Sequence, residues 1–165
     1  MGDADISIRL MTGADDDLFV AFYAALSQET LFFFSAHDPN PVKLHELVAG
    51  IPAETTIRRF AAVYPGEHGE EMAGYLFLWD LDRMVPWLGI CVRDDFKGQG
   101  LGTRLMRHAQ EYCRARGKGG ILLTTHKENM RGQALYRKMG FEILGVDPRD
   151  ELLMIFRLDD PNWRQ

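Results

Sequence analysis

The chain has 165 residues, 46% of them hydrophobic, and carries 24 acids against 19 Lys and Arg for a net charge of −5. That is enough apolar side chain for one compact domain over residues 1–165, and too acidic a balance, with no basic stripe interleaved by aromatics, for nucleic-acid binding. No apolar run approaches the roughly 20 residues of a membrane span, the start Met1 to Ile6 lacks the basic and apolar regions of a secretory signal, and Ile6 stands where a myristoylation signal carries Ser or Thr, so a cytoplasmic protein without membrane contact is expected.

Ile6 to Met11 alternates as a short strand, and Asp15, Asp16 and Asp17 place acids at the first turn of a helix running to about Leu26. Ser27 to Ser35 reads as a phenylalanine-rich helical turn and Pro41 to Ala49 as a further short helix. Arg59 to Tyr64 and Met72 to Leu81 read as strands joined into a hairpin by a turn over Pro65 to Glu70. Trp87 to Val92 is a further strand. The helix after it, Gly100 to Arg116, spaces Leu101, Leu105, Ala109 and Tyr112 to bury one face, and Gly117 to Gly120 stops it. Then follow a strand over 121–126, a helix over 130–139 and two closing strands over 141–146 and 152–158. Antiparallel strands first and a strand-helix-strand unit after argue an α/β (α+β) fold: a mixed, mostly antiparallel sheet with helices on both faces. Cys91 falls on a strand and Cys113 on a helix, which suggests two buried free thiols.

The stretch from Val92 to Leu105, Val-Arg-Asp-Asp-Phe-Lys-Gly-Gln-Gly-Leu-Gly-Thr-Arg-Leu, runs from a strand end through a glycine-spaced turn into an amphipathic helix. Gly98, Gly100 and Gly102 let the backbone turn sharply and approach a ligand, and the open N–H groups of the helix then face an anion, which suits a pyrophosphate. A P-loop would close on Gly-Lys-Ser/Thr, but Thr103 and Arg104 follow Gly102. A dinucleotide fold would carry an acidic residue about 20 positions on, where Leu122 and Leu123 stand. Residues 93–118 hold seven Lys and Arg against three acids, which reads as a basic rim for phosphates beside an acidic remainder suited to a cationic amine.

A second segment begins at Asn129 and reads Asn-Met-Arg-Gly-Gln-Ala-Leu-Tyr-Arg-Lys-Met-Gly-Phe-Glu, after the strand-like run Ile121 to Thr125. Together the two segments resemble the GNAT superfamily of N-acetyltransferases over about residues 85–145, through the glycine turn after an apolar strand and through Asn129, Ala134, Leu135, Tyr136, Gly140 and Phe141 at the family's spacing. Lys97 departs from the Gln or Arg that usually opens the turn; it keeps the charge and loses the planar head.

The resemblance implies a single GNAT-like domain whose two central parallel strands splay apart to hold the pantetheine arm of acetyl-CoA. Main-chain groups of Ile90, Cys91 and Val92 would pair with that arm and polarise the thioester carbonyl, while Lys97, Gly98, Gln99, Gly100, Leu101, Gly102 and Thr103 would hold the pyrophosphate. Asn129 can cap the helix it begins, and in the family an asparagine there also touches the cofactor. Tyr136 would face the sulfur as general acid, since a phenol of pKa about 10 can return a proton to a thiolate of similar basicity. The implied reaction is direct attack of a primary amine, from a small molecule or a peptide, on the thioester, without a covalent enzyme intermediate. Cys91 has no positioned histidine base, and His37, His45, His68, His108 and His126 show no metal-ligand spacing, so no metal is expected. Glu29, Asp80 and Asp82 are the expected acceptor-binding acids; with His126 and Glu128 they are also the candidates for the base, and Thr124 stands where some family members carry a glutamate. The aromatic run Phe32 to Phe34 and Trp79 flank the expected acceptor end, and edge strands would allow a homodimer. The competing readings are a non-catalytic acyl-CoA-binding domain of the same fold and, behind it, a dinucleotide oxidoreductase.

Overall fold

Seven strands form one sheet in the computed structural model, which describes residues 5–158; the Met1–Ala4 start read above for leader signals lies outside them. They are β1 (Ser7–Leu10), β2 (Arg58–Gly66), β3 (Gly69–Trp79), β4 (Trp87–Val92), β5 (Gly120–Thr125), β6 (Glu142–Val146) and β7 (Leu152–Arg157), in the order β1-β2-β3-β4-β5-β7-β6. Every neighbouring pair is antiparallel except β4 and β5.

The central strands are apolar on both faces because both faces are covered. On β2, Phe60, Ala62 and Tyr64 pack into one core with α4 (Leu101–Ala115) and α5 (Met130–Lys138). The alternate residues Ala61 and Val63 face a second core with α1 (Asp16–Ala24) and α3 (Pro41–Gly50). A short α2 (Gln28–Phe33) begins at the cap Ser27, whose hydroxyl accepts from the Thr30 amide. No helix among the described residues is long and apolar enough to cross a membrane.

Several boundaries differ from the sequence expectation for local physical reasons. β2 and β3 run to Gly66 and Gly69, so the hairpin closes over Glu67 and His68, with Gly69 at φ +124°, instead of over six residues. Asp15 stands at the N-cap of α1 without capping it: Arg9 and the Thr12 amide take its carboxylate at 2.7–2.9 Å. Along α4 the buried stripe from Leu101, Leu105 and Ala109 continues to Cys113, four residues on, while Tyr112 sits at its flank, half-buried, with its ring 5.2 Å from Phe60. Cys91 and Cys113 are free and buried, as expected.

The feature that positions the site is the β4–β5 ladder. It contains one pair, Trp87 at the start of β4 with Leu122, the third residue of β5. The Leu122 amide donates to the Pro86 carbonyl at 2.9 Å, and beyond it the strands diverge toward their C-terminal ends. The expected splay of the central parallel strands is present.

Candidate active site

The wedge opens into a cavity of about 1320 Å³ lined by Ile90, Cys91 and Val92 on one side and Leu123, Thr124 and Thr125 on the other. At its outer end lies the glycine turn. Gly98 at φ +75° and Gly100 at φ +86° adopt the left-handed conformation that costs a residue with Cβ about 1–2 kcal/mol. Gly100 occupies the N-cap of α4 and no side chain caps the helix, so the amides of Leu101, Gly102 and Thr103 are left for an anion. A Cβ on Gly102 would lie 3.0 Å from Leu135 Cδ2, so the Leu135 side chain would have to shift to admit one.

Of the residues expected at the pyrophosphate, Lys97, Gly98, Gly100, Gly102 and Thr103 line the cavity. Leu101 is 2% exposed in the core and offers only its backbone, and the Gln99 side chain turns back to the Asp95 carbonyl at 3.0 Å, so neither lines the cavity. Lys97 is engaged locally. Its ammonium contacts the Thr30 hydroxyl and lies 3.1 Å from Asp94 Oδ1. Burial alone would raise the Asp94 carboxyl, but the Ser27 amide, the Thr30 and Ser27 hydroxyls and Lys97 together hold it well below the usual carboxylate range. This clasp ties α2 to the turn.

The basic rim expected over 93–118 is mostly structural: Arg93 pairs with Asp95 and Tyr64, Arg104 donates to the Ile6 carbonyl, and Lys118 binds the Leu81 and Arg83 carbonyls. The other cations at this end of the cavity come from α5, as Arg131 and Lys138, the latter 3.3 Å from Thr103 Oγ1.

Asn129 caps α5, accepting from the Gly132 amide at 3.0 Å and donating to Thr125 Oγ1 at 3.2 Å, and it also lines the cavity. Two helical turns on, Tyr136 is 8% exposed, lines the cavity, and its hydroxyl makes no hydrogen bond among the described residues. Burial pushes the phenol up, with the nearby Cys91 adding to the effect. Burial also pushes the Cys91 thiol up to about 12, which keeps it protonated and unreactive as a nucleophile at neutral pH.

The inner end of the cavity is a flat aromatic wall. Phe77, Trp79 and Trp87 line it, and the stack continues into the core at Tyr75, with successive centroids from Tyr75 to Trp87 5.2, 5.1 and 5.9 Å apart. Arg59 and His37 lie against this wall and line the cavity. Arg59 pairs with Glu54 at 2.7–3.1 Å and donates to the Tyr75 hydroxyl at 2.7 Å; that hydroxyl is 3.0 Å from His37 Nε2. Burial, and then the Arg59 charge, push His37 down to about 4, so its ring is neutral. Sequence reasoning missed both residues, because Arg59 reads as an ordinary strand residue and His37 was weighed only for metal spacing.

The acids expected at the acceptor end are elsewhere. Glu29, Asp80 and Asp82 are exposed and do not line the cavity. Glu128 is exposed as well, and His126 stacks on Phe32 at 4.8 Å with its Nε2 3.5 Å from Glu151 Oε1. Glu151 and Asp147, from the β6–β7 connection, do line the cavity, as does Thr124. Away from it, Asp16, Asp17 and His45 bring one ligand atom each within 4.8 Å of one another, a grouping across α1 and α3 that linear spacing hides.

A splayed parallel pair, an uncapped helix behind a glycine turn and a tyrosine facing the gap define a class, and comparison with known proteins agrees. The profile of the Acetyltransferase (GNAT) family matches residues 20–141, and the chain belongs to that family. A Bacillus subtilis protein named as a ribosomal-protein alanine N-acetyltransferase is 29% identical over 80 residues, 48% of this chain and 53% of that one, so the chain spans about half the length of this relative. In fold, the chain is similar to a ribosomal-protein alanine acetyltransferase from Vibrio fischeri, with TM-score 0.81 and 13% identity over 94% of each chain. It is also similar to the PaiA N-acetyltransferase of Thermoplasma acidophilum, solved in complex with coenzyme A, with TM-score 0.73 and 16% identity over 92% of this chain and 98% of the other. Acetyl-CoA is the acyl donor of this family. The residues here fit it, with a bare-backbone turn for a diphosphate, cations beside it and a long gap for an extended arm.

Proposed function

We propose that the protein is an acetyl-CoA-dependent N-acetyltransferase that acts by direct transfer to a primary amine of a small molecule or peptide. The observation that carries this reading is the β4–β5 ladder, broken after one pair so that the backbone of Ile90 to Val92 borders a gap facing Tyr136. Bound acetyl-CoA supplies a thioester whose acyl carbon accepts the amine. The amides of Leu101 to Thr103, with Lys97, Arg131 and Lys138, hold the diphosphate; Gly98 and Gly100 shape the turn. Backbone groups of Ile90, Cys91 and Val92 pair with the arm and polarise the carbonyl. Asn129 keeps α5 against the gap, and Tyr136 gives its proton to the sulfur as the C–S bond breaks and the C–N bond forms. The amine proton leaves to solvent or to a carboxylate lining the cavity; Glu151 lines it, whereas Glu29, Asp80 and Asp82 do not. Two buried free cysteines support a cytoplasmic setting.

The test is thiol release from acetyl-CoA across a panel of amines. Tyr136→Phe is expected to lower kcat by about 10²-fold, the lower end of general acid contributions, with CoA affinity by calorimetry unchanged. CoA binding without turnover of any amine would instead support a non-catalytic binding domain.

A further inference from the structure

We infer that Arg59 is the residue that sets acceptor specificity, by taking a carboxylate of the acceptor, and that the acceptor is an amino carboxylate with an apolar or aromatic body. This rests on the acetyl-transfer reading above and names the substrate class of the same cavity.

Three observations carry it. Arg59 is 7% exposed on its side chain and still lines the cavity. A guanidinium has five N–H donors in a fixed fork. Here Nε and one NH2 donor serve Glu54 and one NH1 donor serves Tyr75. The remaining polar neighbour is His37 Nε2, 3.5 Å from NH1 and already 3.0 Å from the Tyr75 hydroxyl. Two donors of a buried cation therefore lack a good acceptor at the wall of a cavity, where an incoming oxygen can supply one. Next, the walls beside Arg59 are Phe34, Phe77, Trp79 and Trp87, which suit an apolar or aromatic body. Finally, the carboxylates that line the cavity, Asp147 and Glu151, share the one Arg149 guanidinium at 3.0 and 3.3 Å and come from the β6–β7 connection, not from the strand that carries Arg59. A polyamine brings no oxygen to Arg59 and sets ammonium groups beside that cation, whereas an amino carboxylate brings the acceptor that its donors lack.

The experiment is calorimetric titration of the wild-type protein, saturated with CoA, with L-phenylalanine, phenylalaninamide, phenethylamine and spermidine. L-phenylalanine is expected to bind about tenfold or more tightly than phenylalaninamide or phenethylamine, the scale of one charge-assisted hydrogen bond, with no heat from spermidine. In Arg59→Met the preference for the acid over phenethylamine is expected to fall to about one, with CoA binding kept as the check of the fold. Equal or tighter binding of phenethylamine, the amide or spermidine to the wild type overturns the inference, as does no binding by any of the four. If Arg59→Met loses CoA binding, the wild-type panel still decides. Thiol release, measured in parallel, separates the two readings: preference for the acid without turnover sinks acetyl transfer and keeps Arg59, and turnover of spermidine does the reverse.

Discussion

At His37, burial and the neighbouring Arg59 cation both disfavour the charged ring, and together they hold it near 4 against an ordinary value of about 6.5 in the unfolded chain. The unfolded state therefore binds the proton first as pH falls. Stability is full above about pH 7 and declines as pH drops from about 6.5 toward 4, by about 2 kcal/mol between pH 7.5 and pH 5. Urea denaturation at those two values is expected to show this loss, and His37→Gln is expected to remove most of it. His108, also pushed down by burial, acts with the same sign. Neither His37 nor Arg59 was legible in the sequence as a cavity residue, because their meeting depends on the segment between α2 and α3 folding back onto β2 and β3. Gly98, Gly100, Gly102, Asn129 and Tyr136 were legible, because each answers a local demand of turn, cap or helix face that the neighbouring residues already define.

Among the elements, the turn into α4 has the tightest backbone requirement. Gly100→Ala places a Cβ at φ +86° and is expected to lower the unfolding free energy by about 1–2 kcal/mol in urea denaturation. CoA affinity should fall with it, because a turn that relaxes out of the left-handed region re-aims the amides of Leu101 to Thr103. Strands and helices were found from their apolar periods to within a few residues, with β2 and β3 the largest departure. Pro65 and Gly66 read as turn, yet both lie in the β2–β3 ladder past the end of the β1 pairing, Pro65 opposite Glu70 and Gly66 opposite Gly69. The acids near Trp79 in sequence do not line the cavity, and the β6–β7 connection, unremarkable as sequence, supplies Asp147 and Glu151 to it.

For the molecule as a whole, the sheet is continuous except where β4 meets β5, and nothing in Ile90-Cys91-Val92 distinguishes an open strand from a paired one. That opening was available from resemblance alone, since register between distant strands is a property of the assembled sheet. Filling it changes the energetics of both halves. Hydrogen exchange is expected to slow at Ile90 to Val92 and Leu123 to Thr125 when CoA binds. At a CoA concentration about a hundredfold above its Kd, the unfolding free energy should rise by about 2.7 kcal/mol, and absence of any rise in thermal midpoint would contradict a ligand seated between the strands.

The stacked pair Trp79 and Trp87, with rings 5.9 Å apart and 12° from parallel, forms part of the cavity wall. The chain's third tryptophan, Trp163, lies outside the described residues. Two of the three indoles thus border the cavity space, and displacing water from their faces alters their emission. Occupancy of that space can be followed from intrinsic fluorescence, with no label attached and independently of whether any acetyl group moves.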